Sequence, residues 1–313
     1  MYNLRRLEVL RELKHRGTLA AVAVAMSYSP SAVSQQLTLL ESEVGAPLLE
    51  RDGRRVRLTP QAEILVAHTE TVLRQLDRAQ TEIAASLQEL TGTLRVAAFQ
   101  TAMLTLVPTA LTRLRETHPN VRVEATQAEP DTALPALLAR DVDLVIDETF
   151  LGHAAPPRAT ELSHHVLGED PMRLAVRDTT VRALPELARC PWAMEPVGTP
   201  ARQWTVSVCH AAGFDPDVAF ESADMLVHAR LAAQGHAVAF LPDLLWFDRA
   251  PDLALLTPAP THRRTILATV RTSANDHPLI RTVLSSLRHA VHEAEAAVGR
   301  HLGNDGVGTG SRG

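Results

Sequence analysis

The sequence has little lysine and little cysteine, and both shortages limit what the protein can be. Only Lys14 among the 31 basic residues is a lysine, so nearly every positive side chain is an arginine. Two cysteines in 313 residues provide neither a disulfide framework nor a zinc quartet, which is typical of a reducing compartment. The longest unbroken apolar run, Leu19–Met26, is far shorter than the roughly 18 residues of a membrane span. The first residues mix charge with leucine and form no apolar signal segment, so a cytoplasmic protein without membrane contact is expected.

Motifs that carry chemistry are also missing from the sequence. The 14 histidines fall in no H-E-x-x-H spacing, and the neighbouring pair His164-His165 is better explained as surface. The chain contains neither a Gly-rich phosphate loop nor a G-x-S-x-G nucleophile elbow. The sequence therefore predicts no catalytic residue, no metal site and no cofactor, and the protein is expected not to be an enzyme.

What the chain does have is an uneven distribution of charge. The formal net charge is -5, yet residues 1–60 carry 9 Lys+Arg against 6 Asp+Glu, whereas residues 92–313 carry 20 against 25. A basic end on an acidic chain is a weak indication of polyanion contact, because a solvated face would look the same. A length of 313 residues with 45% apolar side chains indicates about two domains with sizeable cores.

Helix signals follow one another closely at the start of the chain. A first helix is expected to end at Gly17, and Thr18 caps an alanine-rich second helix over Leu19–Met26. Ser29-Pro30 begins a third helix, which stops at Gly45. Two helices separated by so few residues indicate a helix-turn-helix, whose second helix enters the major groove of DNA.

The third helix carries no charge from Pro30 to Leu40, so charged contacts to phosphates must come from elsewhere. Its first polar residues have side chains that can contact base edges, and glutamine suits adenine. The charge lies in the next segment, where apolar residues flank a turn at Asp52-Gly53 and predict a β-hairpin wing. The wing contains Arg51, Arg54, Arg55 and Arg57.

Residues 1–60 resemble the winged helix-turn-helix of LysR-type transcriptional regulators. The resemblance rests on runs at matching spacing, which are Gly17-Thr18-Leu19-Ala20, Ser29–Leu37, Leu39-Leu40-Glu41, Gly45, Leu48–Arg51, Arg54 and Leu58-Thr59. It departs from the family at Pro30-Ser31, where Gln-Pro is usual, and at Gln35, where Arg is usual. The resemblance implies that Thr18, Ser34, Arg51 and Arg54 hold phosphates of double-stranded DNA and that Pro30, Ser31 and Gln35 face bases.

A long helix is predicted from Pro60 to Leu90, where there is no glycine and no further proline. Its apolar seam must be buried either on its own chain or on another. The resemblance implies the second reading, a dimerisation helix in a homodimer or homotetramer. The residues assigned to this seam are Val72, Leu76, Ile83 and Leu90.

Strands alternating with helices over residues 93–298 indicate a parallel sheet whose ligand lies beyond the carboxyl ends of the strands. This part, too, resembles LysR-type regulators, with Val142–Ile146, Pro196–Thr199 and Ala212–Pro216 among the matching runs. The resemblance implies an unidentified small-molecule effector between two lobes. Positions that match family contacts are Gln100, Thr101, Glu129, Asp147, Thr199 and Ser222.

Two cues about the effector conflict. A helix N-terminus in the cleft favours an anionic group, whereas Glu129, Asp147, Glu148 and Glu195 favour a cation or an amine. The sequence leaves this choice open.

The expected fold class is α/β with an N-terminal all-α winged helix-turn-helix, a long linker helix and a two-lobed α/β effector domain resembling a type 2 periplasmic binding protein. The expected domains are 1–60 for DNA binding, 61–91 for the linker, 92–298 for the effector and 299–313 as a disordered tail. Lobe I takes about 93–165 and 265–298, and lobe II about 166–264.

Two alternatives belong to other classes of protein. A thiol redox sensor would use Cys190 and Cys209, but the reactive cysteine of peroxide-sensing LysR-type regulators falls at Pro200 here. An α/β enzyme or ligand carrier would have no use for the arginines of the wing. The leading prediction is therefore a transcriptional regulator whose DNA binding is modulated by an effector.

Overall fold

The computed structural model describes residues 2–52, 55–87, 89–150, 161–178, 180–181 and 183–302. The chain divides into two compact units, Met1–Ser86 and Leu87–Gly313. Among the described residues, no helix is long and apolar enough to cross a membrane. The predicted fold class, a winged helix-turn-helix followed by a mixed α/β domain, is confirmed.

The first unit begins with three helices whose ends were correctly predicted to within one residue. They are α1 (Leu4–Arg16), α2 (Leu19–Ala25) and α3 (Pro30–Val44). The side chains of Asn3, Thr18 and Ser29 each accept a hydrogen bond from a first-turn N–H, which is why the helices start where they do. Gly17 and Gly45 end α1 and α3 with φ angles of 73° and 75°, a conformation that glycine adopts without strain.

A hairpin follows the third helix, made of β1 (Leu49–Asp52) and β2 (Arg55–Leu58). The two strands are antiparallel, as the predicted wing requires, with Leu49 opposite Leu58. Gly53 and Arg54 lie outside the described residues. The core of this unit is apolar and is built from all three helices, with Leu10, Leu37 and Leu40 among its fully buried side chains.

The linker helix α4 (Pro60–Ser86) is 27 residues long. Thr59 accepts a hydrogen bond from the Ala62 N–H and so caps its start. The helix ends at Ser86 rather than at Leu90, which corrects the prediction. Leu90 instead packs against the core of the second unit, because burial there removes its side chain from water.

The second unit is built on a seven-stranded sheet with the order β10-β6-β11-β5-β3-β4, and β9 pairs with β6. The strands are β3 (Gly92–Ala98), β4 (Val121–Gln127), β5 (Leu144–Phe150), β6 (Leu162–Val176), β9 (Ala239–Pro242), β10 (Ala254–Leu256) and β11 (His262–Arg271). A separate parallel pair, β7 (Pro191–Met194) and β8 (Asp217–Glu221), lies in the second lobe. The helices are α5 (Gln100–Thr117), α6 (Pro130–Leu138), α7 (Pro200–Ala211), α8 (Met225–Ala233) and α9 (Pro278–Leu302).

The sheet is not wholly parallel, which corrects a second expectation. Strand β3 is parallel to β4 and β5, but β11 runs antiparallel to both β5 and β6. The reason is the path of the chain. Strand β6 leaves the first lobe and its last residues pair with β9 and β10 of the second lobe, and β11 returns beside β6. These two long strands join the lobes.

The first lobe has helices on both faces of its sheet. Helices α5 and α9 cover one face, with Leu106, Ile146 and Leu287 in the shared core. Helix α6 covers the other, with Leu137 against Val145. The final helix therefore returns to the first lobe, as predicted. It continues to Leu302, four residues into the predicted tail, and residues 303–313 lie outside the described part of the chain.

Two element boundaries decide where the predicted effector residues stand. Gln100 and Thr101 were expected in a loop, but α5 begins at Gln100, so they form its first turn. Asp147 and Glu148 were also expected in a loop, but β5 continues to Phe150 because β11 pairs with it as far as Arg264. Consecutive strand residues point to opposite faces, so these two carboxylates do not share a site.

Candidate functional site

The first unit presents an uncharged polar surface at the start of α3. Pro30, Ser31, Ser34 and Gln35 are exposed, whereas Val33, Leu37 and Leu40 on the opposite side are buried. The hydroxyl oxygens of Ser29 and Ser31 lie 2.9 Å apart. Every base-facing residue proposed from the sequence is therefore on one exposed face of one helix, at its N-terminal end. This is the end of a recognition helix that reaches base edges.

Arginines on the first helix pair with carboxylates of their own unit. Arg6 pairs with Glu43, and its Nε donates to Gln36. Arg11, which is buried, pairs with Glu12 and with Glu70 of α4. Hydrogen bonds from His15 and Arg11 hold the pKa of Glu70 below its usual range, although burial opposes them. The Arg11–Glu70 pair joins α1 to α4, and the Arg6–Glu43 pair joins α1 to α3.

Three of the positions predicted to hold phosphates lie at the start of α2 and in the wing. Thr18 is exposed and its hydroxyl caps α2 by accepting from the Ala21 N–H at 3.2 Å. Arg51 lies in β1 opposite Val56, and Arg57 in β2 is exposed. Arg54 is outside the described residues.

The second unit contains a buried ionic cluster where its two joining strands meet the first lobe. Arg264 of β11 is 3% exposed and lies at its centre. Its Nη1 donates to Glu148 at 2.6 Å, and its Nη2 donates to Asp170 and to the Thr101 hydroxyl, each at 2.6 Å. The guanidinium also lies over the Phe99 ring, 4.9 Å from its centroid. One arginine thus connects α5, β5, β6 and β11.

Two further carboxyl groups lie near this cluster, and neither forms an ion pair with another of the described residues. Burial raises the pKa of Glu195 to about 8, and repulsion from Glu148 and Glu129 adds to the shift. Burial likewise raises the pKa of Glu129 to about 7, with a second contribution from Glu148. Arg264 opposes both shifts, but its hydrogen bonds go to other groups. At pH 7 Glu195 is therefore mostly protonated and Glu129 about half protonated.

The structure connects five of the six predicted effector residues. The backbone of Gln100 lies close enough to the Glu129 carboxyl to oppose the rise in its pKa, and the side chain of Thr199 does the same for Glu195. The Thr101 hydroxyl accepts from Arg264. The Gln100 side chain reaches lobe II, where Ser222 accepts from the Asp224 N–H at 3.1 Å.

The sixth predicted effector residue, Asp147, lies apart from these five. It is 5% exposed and accepts from the Thr269 hydroxyl at 3.0 Å, on the face of β5 opposite to Glu148. Its other carboxylate oxygen finds no hydrogen-bond partner among the described residues. Burial is the main reason that the pKa of Asp147 rises to about 7.

Sequence reasoning missed Arg264 and Asp170 as members of this site. A signal for the arginine was present, since Arg264 shares the alternating face of β11 with Ile266 and Ala268, which are buried in the core. A charge on that inward face requires partners. Nothing local to the sequence identifies those partners.

The cysteines have surroundings that do not favour thiol chemistry. Cys209 is fully buried in α7, and burial raises the pKa of its thiol to about 12, so the reactive thiolate is scarce at neutral pH. Cys190 is half-buried. Within the described residues there is no group of three or more His, Cys, Asp or Glu that could hold a metal ion.

A groove of about 630 Å³ beside α9 is a separate feature. The arginines that line it are already paired, Arg263 with Glu169 at 2.7 Å and Arg173 with Asp243 at 2.5 Å. Its lining includes Asp170 of the ionic cluster but none of the six predicted effector residues.

The raised carboxyl pKa values predict an unusual pH dependence. Unfolded glutamates have a pKa of about 4.3, so Glu129 and Glu195 bind protons more tightly in the folded state. Stability is then expected to fall as the pH rises from about 5 to about 8, by at most about 1.4 kcal/mol per pH unit for each group. Thermal unfolding of the full chain across this range measures it. Glu195→Gln should flatten the slope and the exposed Glu116→Gln should not. Stability that rises with pH would contradict the assignment.

A winged helix-turn-helix followed by a two-lobed α/β unit with a polar inter-lobe site defines a ligand-responsive DNA-binding regulator. The family of LysR substrate binding domains matches residues 87–291, and the bacterial regulatory helix-turn-helix proteins of the lysR family match residues 4–63. The chain belongs to the LysR family of bacterial transcriptional regulators, and it is a DNA-binding regulator with an effector-binding domain.

Known proteins of this family resemble the chain over most of its length. The transcriptional dual regulator GltC of Bacillus subtilis is 26% identical over 273 residues, which cover 84% of this chain and 89% of GltC. A variant of full-length OxyR from Pseudomonas aeruginosa has the same fold, with a TM-score of 0.67, 21% identity and coverage of 92% and 95%. CbnR complexed with its target DNA has a TM-score of 0.51, 21% identity and coverage of 92% and 100%.

Proposed function

We propose that α3 reads the operator and that the wing holds its phosphates. The observation that carries this proposal is the exposed, uncharged face of α3 beside a hairpin whose sequence supplies four arginines. The bases would be contacted by Pro30, Ser31 and Gln35. Phosphates would be held by Thr18, Ser34, Arg51 and Arg54.

Two sets of substitutions separate these roles. Arg51→Ala with Arg54→Ala removes two phosphate contacts, so it should weaken binding on all sequences and reduce the salt slope by about 2. Gln35→Ala should leave the salt slope unchanged and cost about 1–3 kcal/mol on the operator only. Fluorescence anisotropy on operator and scrambled duplexes at several salt concentrations measures both effects. An unchanged slope in the double variant would remove the wing from the interface.

We propose further that the effector lies between the lobes, against Gln100, Thr101, Glu129, Thr199 and Ser222. The N-terminus of α5 favours an anion less than the sequence suggested, because the Glu129 carboxyl already lies beside the Gln100 backbone. The two carboxyls without a cation of their own instead favour an effector with an ammonium group. Such a ligand would release their protons and remove the pH dependence of stability described above. Thermal shift of the full chain at two pH values, with matched amines and carboxylates, tests this choice.

The regulator is proposed to act as a dimer through α4. This helix has two apolar faces. One, with Ala62, Val66 and Leu73, is buried within its own unit. The other, with Val72, Leu76 and Ile83, is exposed in the single chain, at 44%, 44% and 62%. The second face is where another copy of the helix would pack. Effector binding would then change the angle between the lobes. This change would alter the spacing of the two winged helix-turn-helix domains on DNA.

A further inference from the structure

The side chain of Gln100 connects the two lobes. Gln100 is the first residue of α5 in lobe I, and its Nε2 donates to Asp224 Oδ1 in lobe II at 2.6 Å. Its Oε1 accepts from the backbone N–H of Met225 at 2.8 Å. Gln100 is only 9% exposed. Both polar ends of a single carboxamide are therefore used across the cleft.

These two partners fit a primary carboxamide better than other common groups. Asp224 presents an acceptor and Met225 a donor, and an amide offers a donor and an acceptor side by side. A carboxylate in place of the Gln100 carboxamide would face the Asp224 carboxylate with a second acceptor, and no hydrogen bond would form between them. The hydrogen bond from Gln100 is also the main reason that the pKa of Asp224 lies below its usual range, so this side chain is ionised as an acceptor.

The contact completes the N-terminus of α8 from the other lobe. Asp224 caps this helix by accepting from the Leu226 N–H at 2.8 Å. The Met225 N–H is one of the first-turn donors that a helix cannot satisfy itself, and Gln100 supplies its acceptor. The start of α5 is held in place too, because Arg264 donates to the hydroxyl of the neighbouring Thr101 at 2.6 Å.

We infer that Gln100 is an intramolecular clasp, which holds the lobes closed at the start of α8 by placing its own carboxamide in a carboxamide-binding subsite. An effector that occupies this part of the cleft displaces the clasp and frees α8 to move relative to α5. The clasp stands on its own contacts, whereas this regulatory consequence rests on the proposed effector site. Both partners of the clasp belong to the chain itself, so it needs no other molecule to form, and ligand entry opens it.

Hydrogen–deuterium exchange of the full chain, followed by mass spectrometry, tests the clasp without any effector. Gln100→Ala should raise the exchange rate of amides at the start of α8 by roughly fivefold to tenfold, the factor expected for one hydrogen bond of ordinary net strength. Gln234→Ala is the matched control, since Gln234 is exposed at the other end of the same helix. Unchanged exchange in Gln100→Ala, or an equal rise in the control, would overturn the inference.

Chemical rescue tests the subsite. Propanamide added to Gln100→Ala should restore slow exchange at the start of α8, and propanoate should not, because it cannot donate to Asp224. Gln100→Glu provides a second comparison, made within one variant by changing only the pH. At pH 8 its carboxylate should repel Asp224 and open the clasp. As the pH falls, the clasp should close again. Equal effects of the two additives, or no pH dependence in Gln100→Glu, would contradict a carboxamide subsite. A failure of the effector proposal would appear differently, as an absence of ligand shifts with the clasp intact.

Discussion

Replacing Arg264 with methionine is expected to destabilise the second unit by about 3–5 kcal/mol, the usual result of removing one partner from a buried ion pair. The guanidinium is 3% exposed and holds Glu148, Asp170 and Thr101 at 2.6 Å. Methionine fills much of the same space but leaves two buried carboxylates without a cation. Stability is lost mainly because Glu148 and Asp170 remain buried and charged without a cation, and less because the hydrogen bonds of Arg264 are gone.

Urea unfolding of the full chain measures this change, and Arg263→Met is its matched control. Arg263 is the neighbour of Arg264 in sequence, but its ion pair with Glu169 is 55% exposed on both sides. Exposed pairs contribute about 0–1 kcal/mol, so the control should stay close to the wild type. The triple variant Arg264→Met, Glu148→Gln, Asp170→Asn should recover much of the stability, because no charge is left buried. Equal losses in the two single variants would show that Arg264 is not the centre of the cluster.

Placing glutamates at Leu76 and Ile83 is expected to abolish dimerisation and to lower operator affinity by about 10²–10⁴, the gain that a second linked binding site provides. Val72, Leu76, Ala79 and Ile83 are spaced by four, three and four residues, the pattern of a coiled-coil seam. All four are exposed in the single chain. A carboxylate in the centre of such a seam would be buried without a partner if the dimer formed.

Sedimentation and footprinting measure the two consequences. Ala67→Glu with Ala85→Glu is the matched control, since it adds the same charge to exposed positions on another side of α4. The control should remain dimeric and keep most of its affinity. A dimer that survives the seam substitutions, or an equal loss in the control, would place the interface elsewhere.

Local signals explain why so much of the first unit could be predicted from the sequence. Each helix there begins at a capping side chain and two end at a glycine with positive φ, and those interactions lie within four residues of each other. The hairpin follows from its alternating apolar residues. The long helix itself was predicted correctly, but its end was not. Leu90 packs against a core that is built by other parts of the chain, and no local signal shows this.

The candidate effector site was predictable only as a set of positions. Matching runs brought Gln100, Thr101, Glu129, Thr199 and Ser222 into consideration, and the structure connects them. Asp147 shows the limit, since a single step along β5 decides which face of the sheet a side chain occupies. The Asp147 side chain accepts a hydrogen bond from Thr269 and therefore lies apart from the other five residues.

The sequence by itself determined the family, the order of the elements and the exposed polar face of α3, because capping, apolar periodicity and motif spacing act between near neighbours. Only the tertiary structure decided that Arg264 gathers Glu148 and Asp170 from 116 and 94 residues away, and that Gln100 reaches Asp224 across 124. Such contacts arise where strands β6 and β11 return through the same cleft. A buried charge or amide requires a partner, but the path of the chain chooses which one.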